Sequence, residues 1–201
     1  MTMTPAEAVA LDPQEALCQD MAVLAGDPLQ WVRYSFEWGK DDLAGHDGPD
    51  EWQRQILEDI RDGLSMDEAL RIAVSSGHGV GKSALVAWIL LWGLSTCPEA
   101  RAVVTANTGA QLKTKTWAEL AKWKQKCIVG HWFDLSATSL ASSDVQYELT
   151  WRADAIAWSE HNSEAFAGLH NQGRRIIVVF DEASAISDTI WQVTEGALTD
   201  Q

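Results

Sequence analysis

The chain is short of cysteine, of basic residues and of long apolar runs, and each shortage excludes a class of protein. Its three cysteines, Cys18, Cys97 and Cys127, are odd in number and far apart. Neither a disulfide framework nor a zinc site of paired thiolates is therefore indicated, and a reducing cytoplasm is the expected setting. Lys and Arg number 15 against 29 Asp and Glu, a formal net charge of −14. Broad binding to nucleic acid draws on cations set against phosphates, so any DNA contact has to be local or supplied by other segments. The imbalance is concentrated: residues 1–70 hold sixteen acids and four bases, residues 71–201 thirteen and eleven. The apolar run Ala84–Leu94 is too short to span a bilayer. Residues 1–26 carry four acids and lack a basic start, unlike a secretory signal, so a chain that is not exported and not in a membrane is expected. There is no internal repeat and no low-complexity tract.

What is there is enough for one core. Of 201 residues, 46% are hydrophobic, which suits one domain with a small appendage. The centre of the chain is Ser75-Ser-Gly-His-Gly-Val-Gly-Lys82-Ser83. A Gly-rich turn leaves amides unpaired, and where it feeds a helix N-terminus it makes an anion cradle. Lys82 adds a charge for β- and γ-phosphates, and the Ser83 hydroxyl can ligate Mg²⁺. Ser76 stands where the consensus has Gly, so the cradle is read as Ser76, Gly77, His78, Gly79, Val80, Gly81, Lys82 and Ser83. Its flanks predict a buried strand over 69–74 and an apolar helix over 84–94. Strand, loop, helix is the order a triphosphate site needs.

The second half of the site is Arg174-Arg-Ile-Ile-Val-Val-Phe-Asp181-Glu182. A continuous Ile/Val run predicts a strand buried on both faces, and acids at its carboxyl end emerge where open α/β sheets bind ligands. Asp181 is expected on the metal side opposite Ser83. Glu182 is expected to accept a hydrogen bond from an attacking water, which points to hydrolysis rather than binding alone.

The remaining segments are read in chain order. A helix is predicted from about Asp12, broken at Asp27-Pro28, and a second piece over 29–38 places Trp31, Tyr34 and Trp38 at core spacing. The polar stretch 39–49 is the expected boundary, dividing the chain into an acidic helical region, 1–48, and a catalytic domain, 49–201. Asp50 caps a helix opening Glu51-Trp52-Gln53. A Gln amide offers the donor and acceptor that the adenine edge needs, and Trp52 can wall the base. An amphipathic helix with an exposed Gln is the plainer account, and the phosphate loop about 25 residues on favours the first. A strand over 101–106 is followed by a helix capped at Asn107-Thr108. On it Lys115, Lys122 and Lys126 form a basic face, read either as an ordinary solvated surface or as a contact for a phosphate backbone. Short strands are predicted over 147–151 and 154–158. His161 and His170 lack the spacing and partners of metal ligands.

Taken together, Trp52-Gln53, the loop Ser76–Ser83, Asn107-Thr-Gly-Ala-Gln111, Asn162-Ser-Glu-Ala-Phe-Ala-Gly-Leu-His170 and Val179-Phe-Asp-Glu-Ala-Ser184 resemble the ATPase domain of tailed-bacteriophage terminase large subunits, over roughly residues 50–200. The resemblance implies an α/β P-loop NTPase of the RecA/ASCE-like type, a mainly parallel sheet flanked by helices behind a small N-terminal helical region. It implies Mg²⁺-dependent ATP hydrolysis that drives double-stranded DNA into a procapsid, in the bacterial host cytoplasm. The implied partners are viral DNA, a portal protein, a small terminase subunit and further copies of the chain in a ring. By that pattern Gln53 reads adenine, Lys82 and Ser83 serve phosphate and metal, Asp181 serves the metal and Glu182 is the catalytic acid. Relatives continue into a coupling strand and a nuclease domain, whereas this chain stops at Gln201 within an expected helix, so it reads as a fragment or a truncated gene product. Relatives also carry an Arg at the loop, where Ser75 and Ser76 stand here; Arg152, Arg174 or a neighbouring subunit are the alternatives. A helicase-like ATPase and a nucleotide-binding module without turnover are the competing readings.

Overall fold

The computed structural model describes residues 12–65, 69–75, 77, 79–106, 108–158, 173–183, 186 and 188–199. Proline and Asp start the first helices. In α1 (Pro13–Val23) Pro13 takes the first turn, and in α2 (Pro28–Ser35) the Asp27 carboxylate accepts from Gln30 N–H at 3.0 Å. Helix α3 (Glu51–Gly63) opens on a capping box between Asp50 and Gln53. Helix α4 (Lys82–Ser95) is apolar all round and accordingly lies inside the molecule.

Strand β1 (Arg101–Ala106) leads into a helical stretch of three parts: α5 (Gly109–Gln111), a π-helical segment Leu112–Trp117, and α6 (Ala118–Lys126). There follow β2 (Phe133–Leu135), β3 (Ser139–Ser142), β4 (Arg152–Ala157), β5 (Ile176–Phe180) and α7 (Asp188–Thr199). The sheet order is β2-β3-β4-β1-β5. Strand β1 is parallel to β4 and β5, while β2–β3 and β3–β4 are antiparallel. The sheet is thus mixed rather than mainly parallel. The cause is local: the links from β2 to β3 and from β3 to β4 are too short for a crossover helix, so those strands return antiparallel.

Side chains alternate between two faces. Ala102, Val104, Ala153, Ile177 and Val179 join the main core with α4, whereas Val103, Ile176, Val178 and Phe180 pack with Ile186 and Ile190 of the α7 side. Helices therefore cover both faces. Gly93 of α4 lies so near the sheet that a Cβ there would stand 2.1 Å from Ile177 Cδ1. The main core also takes in Met21, Leu29, Trp31 and Phe36, so the N-terminal helices share it with α4 and α6. Phe36 is the hub of an aromatic cluster, with ring centroids 5.0 Å from Trp123, 5.8 Å from Trp31 and 6.0 Å from Trp38.

Several expected elements differ. Residues 69–75 form no strand, and Leu70, Ile72 and Val74 are exposed. An apolar run becomes a strand only where an edge accepts its hydrogen bonds, and residues 69–75 pair with none of the five strands. Among the described residues strand β5 ends the sheet, and its residues are half-buried rather than buried on both faces. Tyr147–Thr150 is a turn, closed by Trp151 N–H on Tyr147 O at 2.8 Å, and the strand starts at Arg152. Trp31 is fully buried and Trp38 partly so, but Tyr34 is 44% exposed and donates to Asp20. Ser76, His78, Asn107, His161 and His170 lie outside the described residues.

Candidate active site

The strands' common direction fixes where ligands can meet. The first residues of β1, β4 and β5 are in register at Arg101, Arg152 and Ile176, so their last residues share the opposite edge. Helix α4 runs against them. Its C-terminal end lies by the strands' amino edge, where Trp151 Nε1–H donates to Leu94 O at 2.9 Å and Arg175 donates to Thr96 Oγ1 at 2.8 Å. A 14-residue helix is about 21 Å long, close to the length of a six-residue strand. Lys82 at its start therefore stands toward the carboxyl edge, the edge on which Asp181 and Glu182 leave β5.

The loop before α4 turns on two glycines. Gly79 and Gly81 have φ of +77° and +88°, a region that disfavours other residues. Gly81 is the N-cap and supplies no side chain, so the first N–H groups of α4 have no side-chain cap. No described heavy atom lies within 4 Å of where a Gly79 Cβ would be. Lys82 Nζ donates to Gly77 O at 3.1 Å, folding the loop back over the helix start. These features fit a phosphate group at the loop. A cavity of about 660 Å³, lined by Asp50, Glu51, Trp52, Gly79, Val80 and Gly81, opens between the loop and the start of α3.

Gln53 ties the two together. Its Oε1 accepts from Asp50 N–H at 2.8 Å and its Nε2 donates to Gly81 O at 3.0 Å, with 4% of the residue exposed. Its amide, expected to face the adenine edge, is thus engaged with Asp50 and the loop, and Trp52 lines the cavity next to it.

The acidic pair is held from the side. Asp181 N–H donates to Thr105 O at 2.8 Å, which keeps it in line with the end of β1. Its Oδ2 accepts from Thr116 Oγ1–H at 2.5 Å. Glu182 has φ +56°, and its carboxylate accepts from Gln111 Nε2–H on one oxygen and Lys115 Nζ–H on the other, both at 2.9 Å. The hydrogen bond and charge of Glu182, with Asp181 adding to them, push the Lys115 ammonium above its usual range. Gln111 and Thr116 had no expected role, though Gln111 stood within a family-like stretch, and Lys115 was read only within the basic face, as solvated surface or as a contact for a phosphate backbone.

That basic face is not a free one. Lys115 pairs with Glu182, Lys122 with Glu119 at 2.9 Å, and Lys126 with Asp42. Arg152 and Arg174 are two of the alternatives named for a loop arginine. Both lie at the amino edge of the sheet, Arg152 bound to Asp154 and Arg174 to Glu99, on the side away from Asp181 and Glu182. Among the described residues no group of three or more His, Cys, Asp or Glu could hold a metal ion, and no helix is long and apolar enough to cross a membrane.

No protein-family model matches the chain. It is similar to a protein of Enterobacteria phage P7 described as "Probable terminase, large subunit", 29% identical over 178 residues. The match covers 83% of this chain and 33% of the relative, so the chain spans about a third of that protein's length.

Proposed function

We propose that this chain is the ATP-hydrolysing motor portion of a terminase large subunit, which drives double-stranded viral DNA into a procapsid. The observation that carries the reading is the shared edge: a Gly-rich loop heading α4 and the Asp181-Glu182 pair leaving β5 stand at the same end of the sheet. The similarity to the phage P7 protein supports the biological setting.

In this reading the fold is a P-loop NTPase and each residue has a role. The loop 76–83 wraps the phosphates with backbone N–H groups, and Lys82 neutralises the γ-phosphate oxygens. Ser83 and Asp181 would hold Mg²⁺, which supplies further charge neutralisation on the transferring phosphoryl group. Trp52 walls the base across the cavity. Gln53 keeps the loop against α3, and the second N–H of its Nε2 and second lone pair of its Oε1 are the donor and acceptor it would offer the adenine edge. Glu182 accepts a hydrogen bond from the attacking water and orients it for in-line displacement. The partners that follow are viral DNA, a portal protein, a small terminase subunit and further copies of the chain on the portal, in the host cytoplasm.

The test is steady-state ATP hydrolysis by this chain, with and without double-stranded DNA. Lys82→Ala is expected to weaken both nucleotide binding and turnover, and undiminished turnover in that variant would contradict the assignment.

A further inference from the structure

The three parts of the helical stretch after β1 are not interchangeable. In an uninterrupted α-helix Gln111 and Thr116 would point about 140° apart. Here the stretch between them is π-helical. The wider turn brings Gln111, Lys115 and Thr116 onto one side, where all three bond the acids that follow β5. A π segment is rarer than the α-helix it interrupts and recurs at functional sites.

The contacts form an ordered chain. Thr108 Oγ1–H donates to Gln111 Oε1 at 3.2 Å, and Thr108 Oγ1 in turn accepts from Gln111 N–H at 3.2 Å. The Gln111 amide is thereby turned so that its NH₂ faces Glu182. Lys115 takes the other carboxylate oxygen, and Thr116 takes Asp181. Glu182 itself stands at φ +56°, a conformation that persists only where its surroundings over-determine it. Two bonds from one helix, reaching across 71 and 67 residues of sequence, do so.

We propose that Gln111 and Lys115 are positioning residues for Glu182, and Thr116 for Asp181, with the π segment as the device that aims them. The inference rests on the reading of Glu182 as the water-orienting carboxylate. A carboxylate accepts more than two hydrogen bonds, so both contacts are compatible with Glu182 also binding a water. Misplacing a reacting group by about 1 Å can cost about 100-fold in rate.

The experiment compares Lys115→Met, Gln111→Leu, Thr116→Val and Lys115→Arg with the unaltered chain and Glu182→Gln, reading kcat, KM, fluorescent-ATP affinity and thermal midpoint. Lys115→Met and Gln111→Leu should each lower kcat about 10- to 100-fold while ATP affinity stays within about threefold. Lys115→Arg, which keeps a cation at that place, should recover most of the loss. Lys115 is half exposed, so its variants should fold, and an unchanged thermal midpoint would show it. If Glu182→Gln abolishes turnover but Lys115→Met and Gln111→Leu leave kcat unaltered, the positioning role is overturned and the proposed function stands. If Glu182→Gln turns over like the unaltered chain, both fall.

Discussion

Gln53 Nε2 donates to Gly81 O at 3.0 Å, so the residue that completes the cap of α3 also holds the last turn of the loop that heads α4. The two residues are 28 apart in sequence, and the bond makes the wall of the cavity a single unit. A Cβ on Gly81 would stand 2.8 Å from that Nε2, so any other residue there has to displace the Gln53 amide.

Gln53→Ala removes the acceptor of Asp50 N–H and the side-chain donor to Gly81 O, which keeps Leu85 N–H. At about 0.5–1.5 kcal/mol for each hydrogen bond lost, the cost is about 1–3 kcal/mol. Chemical denaturation should show a loss of that size, and ATP affinity should fall because the loop is no longer held. Stability and affinity both unchanged would mean that the bond does not organise the loop.

Gly81→Ala tests the same contact from the other side. At φ +88° a Cβ is strained, and it meets the Gln53 amide as well. A loss of about 1 kcal/mol or more is expected in the denaturation midpoint. The loss should be smaller in a Gln53→Ala background, since the clash is then gone.

Phe36→Ala should be among the most damaging single changes, because the ring is buried among Trp31, Trp38, Trp88 and Trp123. A cost of about 3–5 kcal/mol is expected. Tyr34→Phe, two residues away but exposed, should change stability by less than about 0.5 kcal/mol.

Cys127 sets a pH dependence. Burial pushes its thiol up to about 12, against about 8.5 in an unfolded chain. The folded form then keeps a proton that the unfolded form gives up. The stabilisation is fully present below about pH 8.5 and is lost as pH rises toward about 12. Unfolding curves should show stability falling across that window, less steeply in Cys127→Ala. At pH 8 a thiol reagent should modify exposed Cys18 and spare Cys127 in the folded chain.

The parts legible in the sequence are those that depend on local pattern. Proline and Asp at the starts of α1 to α3, the all-round apolar α4 and the Ile/Val run of β5 each carry their signal within a few residues. The acids after β5 and the Lys heading α4 were readable for the same reason. What was not legible depends on neighbours. Residues 69–74 have strand composition, but a strand also needs an edge, and none pairs with them. The antiparallel return of β3 depends on connection length rather than side chains. Lys115 read as part of a solvated face because its partner is 67 residues away. Only the adjacency of β1 and β5, with the π turn between Gln111 and Thr116, brings that helix onto Glu182.

The most direct measurement is ATP hydrolysis and ATP binding by Glu182→Gln beside the unaltered chain, in Mg²⁺ and with double-stranded DNA present. Turnover in the unaltered chain, nearly unaltered nucleotide affinity in the variant and loss of its hydrolysis by a factor of about 10² or more are expected. Turnover in Glu182→Gln equal to that of the unaltered chain would contradict Glu182 as the water-orienting carboxylate.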